Sequence, residues 1–146
     1  MSDKKPKGGI KVAAEMLEYL SSQEREKILE NVSKRDPAIA SRLRSQIRSF
    51  ESLLKVQNKG MQRLIRELDI SQIVKALKIS SDEMKSHFFS HMSMRMAEEV
   101  KENIAQSQKM KKSDVYDTQK KIVDLALELE SQGLLVFSEN DEEWVD

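Results

Sequence analysis

Residues 21–40 read SSQEREKILENVSKRDPAIA, and this stretch gives the clearest local signals for the fold. Ser21 and Glu24 have the offset of a capping box, in which two side chains each bond a backbone N–H at the start of a helix. Asp36 and Pro37 supply a helix N-cap residue and a proline at the first helical position. The stretch therefore predicts one helix that begins at Ser21 and ends before Asp36, and another that begins at Pro37.

Upstream of this stretch, a helical pattern begins at Ile10 and follows a basic arm. The apolar residues that recur there at helical spacing are Ala13, Ala14, Leu17 and Leu20. Residues 1–9 contain lysines, a proline and a glycine pair and have little to bury, so we predict a flexible basic linker. Residues 10–47 then form three short helices, the usual content of an armadillo-like unit, whose apolar faces need a neighbour.

Downstream, residues 48–138 continue the pattern of short amphipathic helices. Ser80 and Glu83 have the spacing of a further capping box, and Ser93 precedes a run of apolar residues spaced by four. No part of this segment alternates in the manner of a long strand. We therefore predict an all-α protein made of two small helical subdomains.

The C-terminal part contains the longest periodic run. It begins at Ser113 and stops near Gly133, a residue typical of a helix C-terminal cap. Residues 134–137 form a continuous apolar run of β-prone length, which predicts a short edge segment over the core. Residues 139–146 contain five acidic residues and are predicted to form a solvated acidic tail.

The composition excludes several classes of protein. Lys plus Arg equals Asp plus Glu at 25 each, so the broad positive surface of a nucleic-acid-binding protein is not expected. There is no cysteine, which excludes disulfides and thiolate chemistry and agrees with a reducing compartment. With 34% charged residues and no apolar run near the ~20 residues of a membrane span, we predict a cytoplasmic protein without membrane insertion.

No catalytic constellation is evident, and we predict no enzymatic activity, no cofactor and no metal. The chain has neither a glycine-rich phosphate loop nor a nucleophile elbow. His87 and His91 have the four-residue spacing that can bind a metal from one helix face, but no third ligand is evident. Two partly exposed polar residues are therefore the favoured interpretation. A metal-dependent enzyme remains the alternative, which elemental analysis of purified protein tests.

The order of several short motifs resembles one known family. The motifs are GGIKVAAEML at 8–17, DPAIA at 36–40, Phe50-Glu51, Gln62-Arg63, Ala76-Leu77-Lys78, Met92-Ser93, Asp114-Val115 and Gly133. Each is weak alone, but in this order they resemble the second armadillo unit and the C-terminal domain of the flagellar motor switch protein FliG family. The resemblance implies an armadillo-like right-handed helical superhelix. The family's upstream regions have no counterpart here, which is expected of either a truncated chain or a short paralogue.

The resemblance also implies partners and a place in the cell. In the family, one charged helix faces the cytoplasmic loop of a stator protein of the MotA type. Carried over position by position, the stator-facing charges are Lys78, Arg95, Glu102 and Lys111, whereas Asn103 replaces the second acidic residue of the family pattern. Further implied partners are a FliM-type switch protein and neighbouring FliG-like subunits, at the cytoplasmic face of the flagellar basal body.

A hinge is implied between the two subdomains. The family has an apolar Met-Phe-x-Phe sequence there, linked to switching of the rotation sense, and this chain reads Ile47-Arg48-Ser49-Phe50. Only the two ends remain apolar. A plain helix-to-loop junction is the alternative interpretation of the same residues.

The charged helix face and the chain as a whole each have an interpretation that requires no stator contact. Arg95 and Glu102 are seven residues apart and so share a helix face, but such a face also occurs in any solvated helix. Exposed ion pairs contribute roughly 0–1 kcal/mol there. The chain as a whole is predicted to be a rotor component that supports rotation and switching, or else an accessory paralogue or helical-repeat adaptor without torque function.

Overall fold

The computed structural model describes residues 5–138, and the predicted acidic tail at 139–146 lies outside them. The helices are α1 (Lys5–Leu17), α2 (Ser22–Arg35), α3 (Pro37–Gln46), a 3₁₀ segment (Phe50–Lys55), α4 (Asn58–Arg66), α5 (Ile70–Leu77), α6 (Asp82–Phe89), α7 (Met94–Gln106) and α8 (Lys112–Ser131). Between residues 5 and 138 the only β pairing is one isolated bridge, so the all-α prediction is confirmed. None of the helices in this range has the length and apolar character needed to span a membrane.

The capping signals of the first two helix boundaries are confirmed. Ser21 Oγ accepts a hydrogen bond from the Glu24 N–H at 3.1 Å, and Glu24 Oε1 accepts one from the Ser21 N–H at 3.2 Å. Asp36 Oδ1 accepts from the Ile39 N–H at 3.2 Å, with Pro37 in the first turn of α3. Because these contacts join residues three apart, the sequence alone predicts them.

The predicted linker is too long at its C-terminal end. α1 begins at Lys5, so residues 5–9 are helical, and residues 1–4 lie outside the described residues. Proline is tolerated in the first turn of a helix because its missing N–H would have no partner there. The glycine pair lowers helix propensity, but α1 continues through it into the packed segment that follows.

The described chain divides into two compact units between Ser49 and Phe50. Unit 1 contains α1, α2 and α3, and α3 packs against both other helices. Its apolar core comprises Ala14, Leu17, Leu29, Leu43 and Ile47. The core is small, so a loss of one contact in this unit should have a measurable effect on its stability.

Unit 2 contains the 3₁₀ segment and α4–α8. Its α5 packs against both α7 and α8 and lies at the centre of the unit. The most deeply buried large side chains include Leu53, Met61, Leu64, Ile73, Leu77, Phe88, Val100 and Ile122. Phe50, the first residue of the unit, stacks on Phe88 with 5.8 Å between ring centroids.

One predicted helix start in unit 2 is displaced by one residue. The N-cap of α6 is Ser81, whose Oγ accepts from the Met84 N–H at 3.1 Å. Ser80 instead donates its hydroxyl to the Ala76 carbonyl oxygen at 2.9 Å, at the end of the preceding helix. The capping box predicted from Ser80 and Glu83 is therefore wrong, because two adjacent serines have the same side-chain chemistry.

The C-terminal end of α8 is closed by glycine, as predicted. Gly133 has φ +77°, and the Leu134 N–H donates to the Leu129 carbonyl oxygen at 2.9 Å, the long bond of a Schellman motif. The chain then returns over unit 2, where Phe137 forms an antiparallel bridge with Val56. The predicted edge segment is thus present as a single bridge.

Candidate partner-binding surface

The first part of the candidate surface is the outward side of α7. Ser93 begins the helix as its N-cap, with its Oγ accepting from the Met96 N–H at 3.1 Å, and Ala97 and Val100 are buried against unit 2. Arg95 and Glu102 are both exposed. Seven residues are almost two turns of an α-helix, so these two side chains lie on one face, away from Val100.

The charges on this face are not paired within the described residues. Neither the Arg95 side chain nor the Glu102 side chain takes part in a hydrogen bond or ion pair between residues 5 and 138. Glu98 and Glu99 are exposed as well. The Lys101 side chain does have a partner, because its ammonium makes a cation–π contact 5.1 Å from the centroid of the Phe89 ring. The outward face of α7 therefore has an excess of negative charge.

An exposed methionine borders the same face. Met94, the first residue of α7, is 78% exposed, whereas Met92 and Met96 pack against the core of unit 2. A flexible thioether can adapt to different partner surfaces. Charged groups and one apolar side chain thus lie together at the N-terminal end of α7.

The second part of the surface is the connection from α7 to α8, which contains Lys111. Lys111 is exposed, occupies the N-cap position of α8 and makes no capping hydrogen bond through its side chain. Lys109 and Lys112 beside it are also exposed. Positive charge at the N-terminus of a helix opposes the helix dipole, so these lysines are not placed where they stabilise α8.

The fourth predicted charge, Lys78, has a different environment. Lys78 follows the last residue of α5, and its ammonium donates to the carbonyl oxygens of Ser107 and Gln108, each at 3.1 Å, and to Ser107 Oγ. These acceptors lie at the C-terminal end of α7. The structure therefore places Arg95 and Glu102 on one free face, Lys111 in an exposed connection, and Lys78 in internal hydrogen bonds.

The predicted hinge residues divide between the two units. Ile47 is buried in the core of unit 1, and its N–H donates to the Leu43 carbonyl oxygen at 3.1 Å. Phe50 is buried in the core of unit 2. The Arg48 N–H donates to Glu18 Oε2 at 2.7 Å. Sequence reasoning missed Glu18, because its partner is 30 residues away and no local pattern marks it.

The two histidines lie beside a polar groove of about 410 Å³. His91 Nδ1 donates to the His87 carbonyl oxygen at 2.8 Å, and His91 Nε2 lies 2.8 Å from Asn58 Oδ1. His87 Nε2 is buried and has no hydrogen-bond partner in the described chain.

Burial lowers the pKa of His87, and the nearby His91 lowers it further. From residue 5 to 138, no group of three His, Cys, Asp or Glu side chains is arranged to hold a metal ion.

Comparison with known proteins identifies the family. The family described as the FliG C-terminal domain matches residues 30–137, which include α3, the interunit connection and all four predicted charges. This chain belongs to the FliG C-terminal domain family. The family resemblance inferred from the order of motifs is thereby confirmed.

Comparison with individual FliG proteins shows what share of their length this chain covers. The flagellar motor switch protein FliG of Thermotoga maritima is 32% identical over 131 residues, covering 90% of this chain and 39% of that protein. This chain thus spans about two fifths of the length of that FliG relative. The crystal structure of Helicobacter pylori FliG residues 86–343 superposes with a TM-score of 0.66 at 25% identity, covering 88% of this chain and 60% of that one. Full-length FliG from Aquifex aeolicus gives a TM-score of 0.60 at 28% identity, covering 86% and 39%.

Proposed function

We propose that this chain is a component of a flagellar motor switch, located at the cytoplasmic face of the basal body, whose unit 2 meets the cytoplasmic loop of a stator protein. Membership of the FliG C-terminal domain family supports the assignment to the motor switch. The observation that carries the stator contact is the unpaired charge on the outward face of α7, with Arg95 and Glu102 both exposed. The protein acts by binding and performs no catalysis in this proposal.

The charges of α7 suit a transient contact that recurs with each passing partner. Complementary surface charges chiefly raise association rates and select the partner, and they contribute less to the lifetime of a complex. Arg95 supplies a positive group and Glu102 a negative one on the same face, so a partner segment with both signs matches it. Lys111 and Lys109 extend the surface with positive charge beyond the end of α7.

Unit 1 is proposed to stack on a FliM-type switch protein or on neighbouring FliG-like subunits. α1 exposes two large apolar side chains four residues apart, Val12 (52% exposed) and Met16 (66%), and Tyr19 (80%) is exposed just beyond the end of the helix. Residues with this spacing lie on one side of a helix. A contiguous apolar stripe of this kind is a favourable contact for another apolar helix face.

A second candidate function is an accessory FliG-like paralogue without torque generation. Asn103, which is exposed on α7, stands where the family pattern has an acidic residue, so the face carries one negative charge fewer. Arg48 replaces an apolar residue of the family hinge, and Ser49 stands at its unspecified position. The charged positions that remain, Arg95, Glu102 and Lys111, favour the rotor component over this alternative.

Charge reversal in the native organism tests the stator contact. We expect Arg95→Glu to reduce swimming strongly and to weaken binding of the purified chain to the stator's cytoplasmic loop, because it removes the positive group of the face. Arg66→Glu is the matched control, since Arg66 is an exposed arginine of the same unit that lies on α4. Normal swimming and unchanged loop binding in the Arg95→Glu strain would remove the proposed contact.

Deletion of the gene separates the two candidate functions. Loss of a rotor component should abolish motility, whereas loss of an accessory paralogue should leave it intact. Complementation with the wild-type chain restores motility in the first case. Full motility of the deletion strain would favour the accessory paralogue.

A further inference from the structure

We infer that Lys78 is a positioning residue of the proposed stator surface, which fixes the end of α7 and the start of the following connection. This inference rests on the function proposed above, but it changes the part that Lys78 plays there. The family pattern implies a charge that faces the partner. The structure instead gives its ammonium three acceptors within unit 2.

The hydrogen-bonding capacity of Lys78 is fully used. A lysine ammonium has three N–H donors and no acceptor. The two carbonyl oxygens of Ser107 and Gln108 and the hydroxyl oxygen Ser107 Oγ account for all three donors. A partner carboxylate that approached Lys78 would have to displace one of these bonds, which are charge-assisted and therefore stronger than hydrogen bonds between neutral groups. The exposed side chains of Arg95 and Glu102 carry no such cost, because they make no hydrogen bond within the described residues.

The acceptors lie just beyond the last residue of α7, where the helix dipole favours a cation. The last carbonyl groups of a helix lack intrahelical partners, and the helix dipole places negative charge at that end. α7 has no basic residue of its own in its last turn. Ser107 Oγ, which accepts from Lys78, also donates to the Ile104 carbonyl oxygen at 2.8 Å. Lys78 and Ser107 together therefore close the C-terminal end of α7.

The position of Lys78 makes it an effective anchor. It directly follows α5, whose residues Ile73, Ala76 and Leu77 are completely buried. α5 is also the helix that packs against both α7 and α8. The bonds from Lys78 thus tie the end of α7 to the centre of unit 2, and they fix the first two residues of the connection that carries Lys111.

The partner-facing charges consequently form two regions of opposite sign. The outward face of α7 carries one positive group, Arg95, and three negative groups, Glu98, Glu99 and Glu102, so negative charge is in excess. The connection after α7 contributes the positive groups of Lys109 and Lys111. A stator loop that matches this surface has basic groups opposite the glutamates of α7 and acidic groups opposite Arg95 and the connection. Lys78 holds the connection in a fixed position relative to α7.

Amide hydrogen exchange combined with binding to the purified stator loop tests the inference. Lys78→Met removes the ammonium but keeps an apolar stem, and we expect amide exchange to become about tenfold faster or more in the last turn of α7, including the Ser107 N–H that donates to the Ile104 carbonyl oxygen. Binding should weaken while its salt dependence stays that of the wild type, since no partner-facing charge is lost. Lys111→Met is the matched control, for which we expect unchanged exchange and a reduced salt dependence.

Ser107→Ala gives an independent variant that leaves Lys78 in place. We expect it to speed exchange at the same amides and to weaken loop binding, both by less than Lys78→Met. The inference is overturned if Lys78→Met reduces the salt dependence as Lys111→Met does, or if Ser107→Ala changes neither exchange nor binding. Absence of loop binding by the wild-type chain would overturn the stator contact itself, and the exchange data would still show whether Lys78 holds the end of α7.

Discussion

The side chain of Glu18 and the backbone of Arg48 are joined by a hydrogen bond of 2.7 Å across 30 residues of chain. Glu18 directly follows α1, and Arg48 is the first residue after the buried Ile47. The bond holds the chain against α1 as it leaves unit 1. Arg48 is therefore part of unit 1 through its backbone, although its side chain departs from the family's apolar hinge.

Removal of this carboxylate should destabilise unit 1. We expect Glu18→Ala to lower the free energy of unfolding of unit 1 by about 1–3 kcal/mol, because a partly buried N–H loses a charged acceptor. Glu18→Gln should cost less, since an amide oxygen still accepts. Urea unfolding followed by a probe in unit 1 measures the change, with the exposed Glu15→Ala as the control on α1. Equal stability of the Glu18→Ala and Glu15→Ala variants would contradict a stabilising role of the bond from the Arg48 N–H to Glu18.

Gly60 should resist substitution although it lies in a helix. A Cβ atom there would stand 2.9 Å from Val56 Cγ1, 3.0 Å from Leu135 Cγ and 3.3 Å from the Leu135 backbone Cα. We expect Gly60→Ala to destabilise unit 2 by about 1–3 kcal/mol through overpacking, despite the better helix propensity of alanine. Gly9→Ala is the matched control, because the Cβ atom that alanine adds there has no atom within 4 Å. That variant should be neutral or more stable, and a stable Gly60→Ala protein would contradict the close packing of the C-terminal segment.

Phe50 should behave as a core residue of unit 2 and less as a flexible hinge position. Its ring is buried and stacks on Phe88. We expect Phe50→Ala to cost about 3–5 kcal/mol in the stability of unit 2, while unit 1, whose core does not include it, keeps its stability. Thermal unfolding with separate probes in the two units checks this. A loss of less than about 1 kcal/mol would show that the stacking is dispensable.

His87 should make the stability of unit 2 depend on pH. Burial lowers the pKa of His87 below its ordinary value of 6.5, so below about pH 6.5 the unfolded state binds more protons than the folded state. The stability contributed by neutral His87 is present above that pH and is lost as the pH falls toward the lowered folded-state pKa. Urea midpoints between pH 8 and about pH 5 should fall more steeply for the wild type than for His87→Gln. Parallel curves for the two proteins would contradict this expectation.

Local signals in the sequence predicted much of the fold. The caps at Ser21 and Asp36 and the glycine after α8 join residues within a few positions of one another, so the sequence alone predicts them. The Ser80 error shows the limit of that approach, since adjacent serines compete for one N-cap. The sequence does not predict the start of α1, because a proline and a glycine pair are typical of a linker, whereas this helix continues through them.

The candidate surface was predictable only in part. Helical periodicity correctly placed Arg95 and Glu102 on one exposed side of α7, because that depends on local geometry. The different environment of Lys78 depends on acceptors 29 and 30 residues away, which only the packing of α5 against α7 brings within reach. The sequence does not predict the contact from Glu18 to Arg48 either, because the two residues are 30 positions apart.

A double-mutant cycle between α7 and the stator loop tests the central claim most directly. Arg95→Glu is combined in turn with a charge reversal at each acidic residue of the stator's cytoplasmic loop, and binding is measured for every pair at low and high salt. We predict that one stator reversal restores at least about tenfold of the affinity lost by Arg95→Glu, and that high salt reduces this recovery. Additive losses for every pair, without any recovery, would contradict a charge contact through α7.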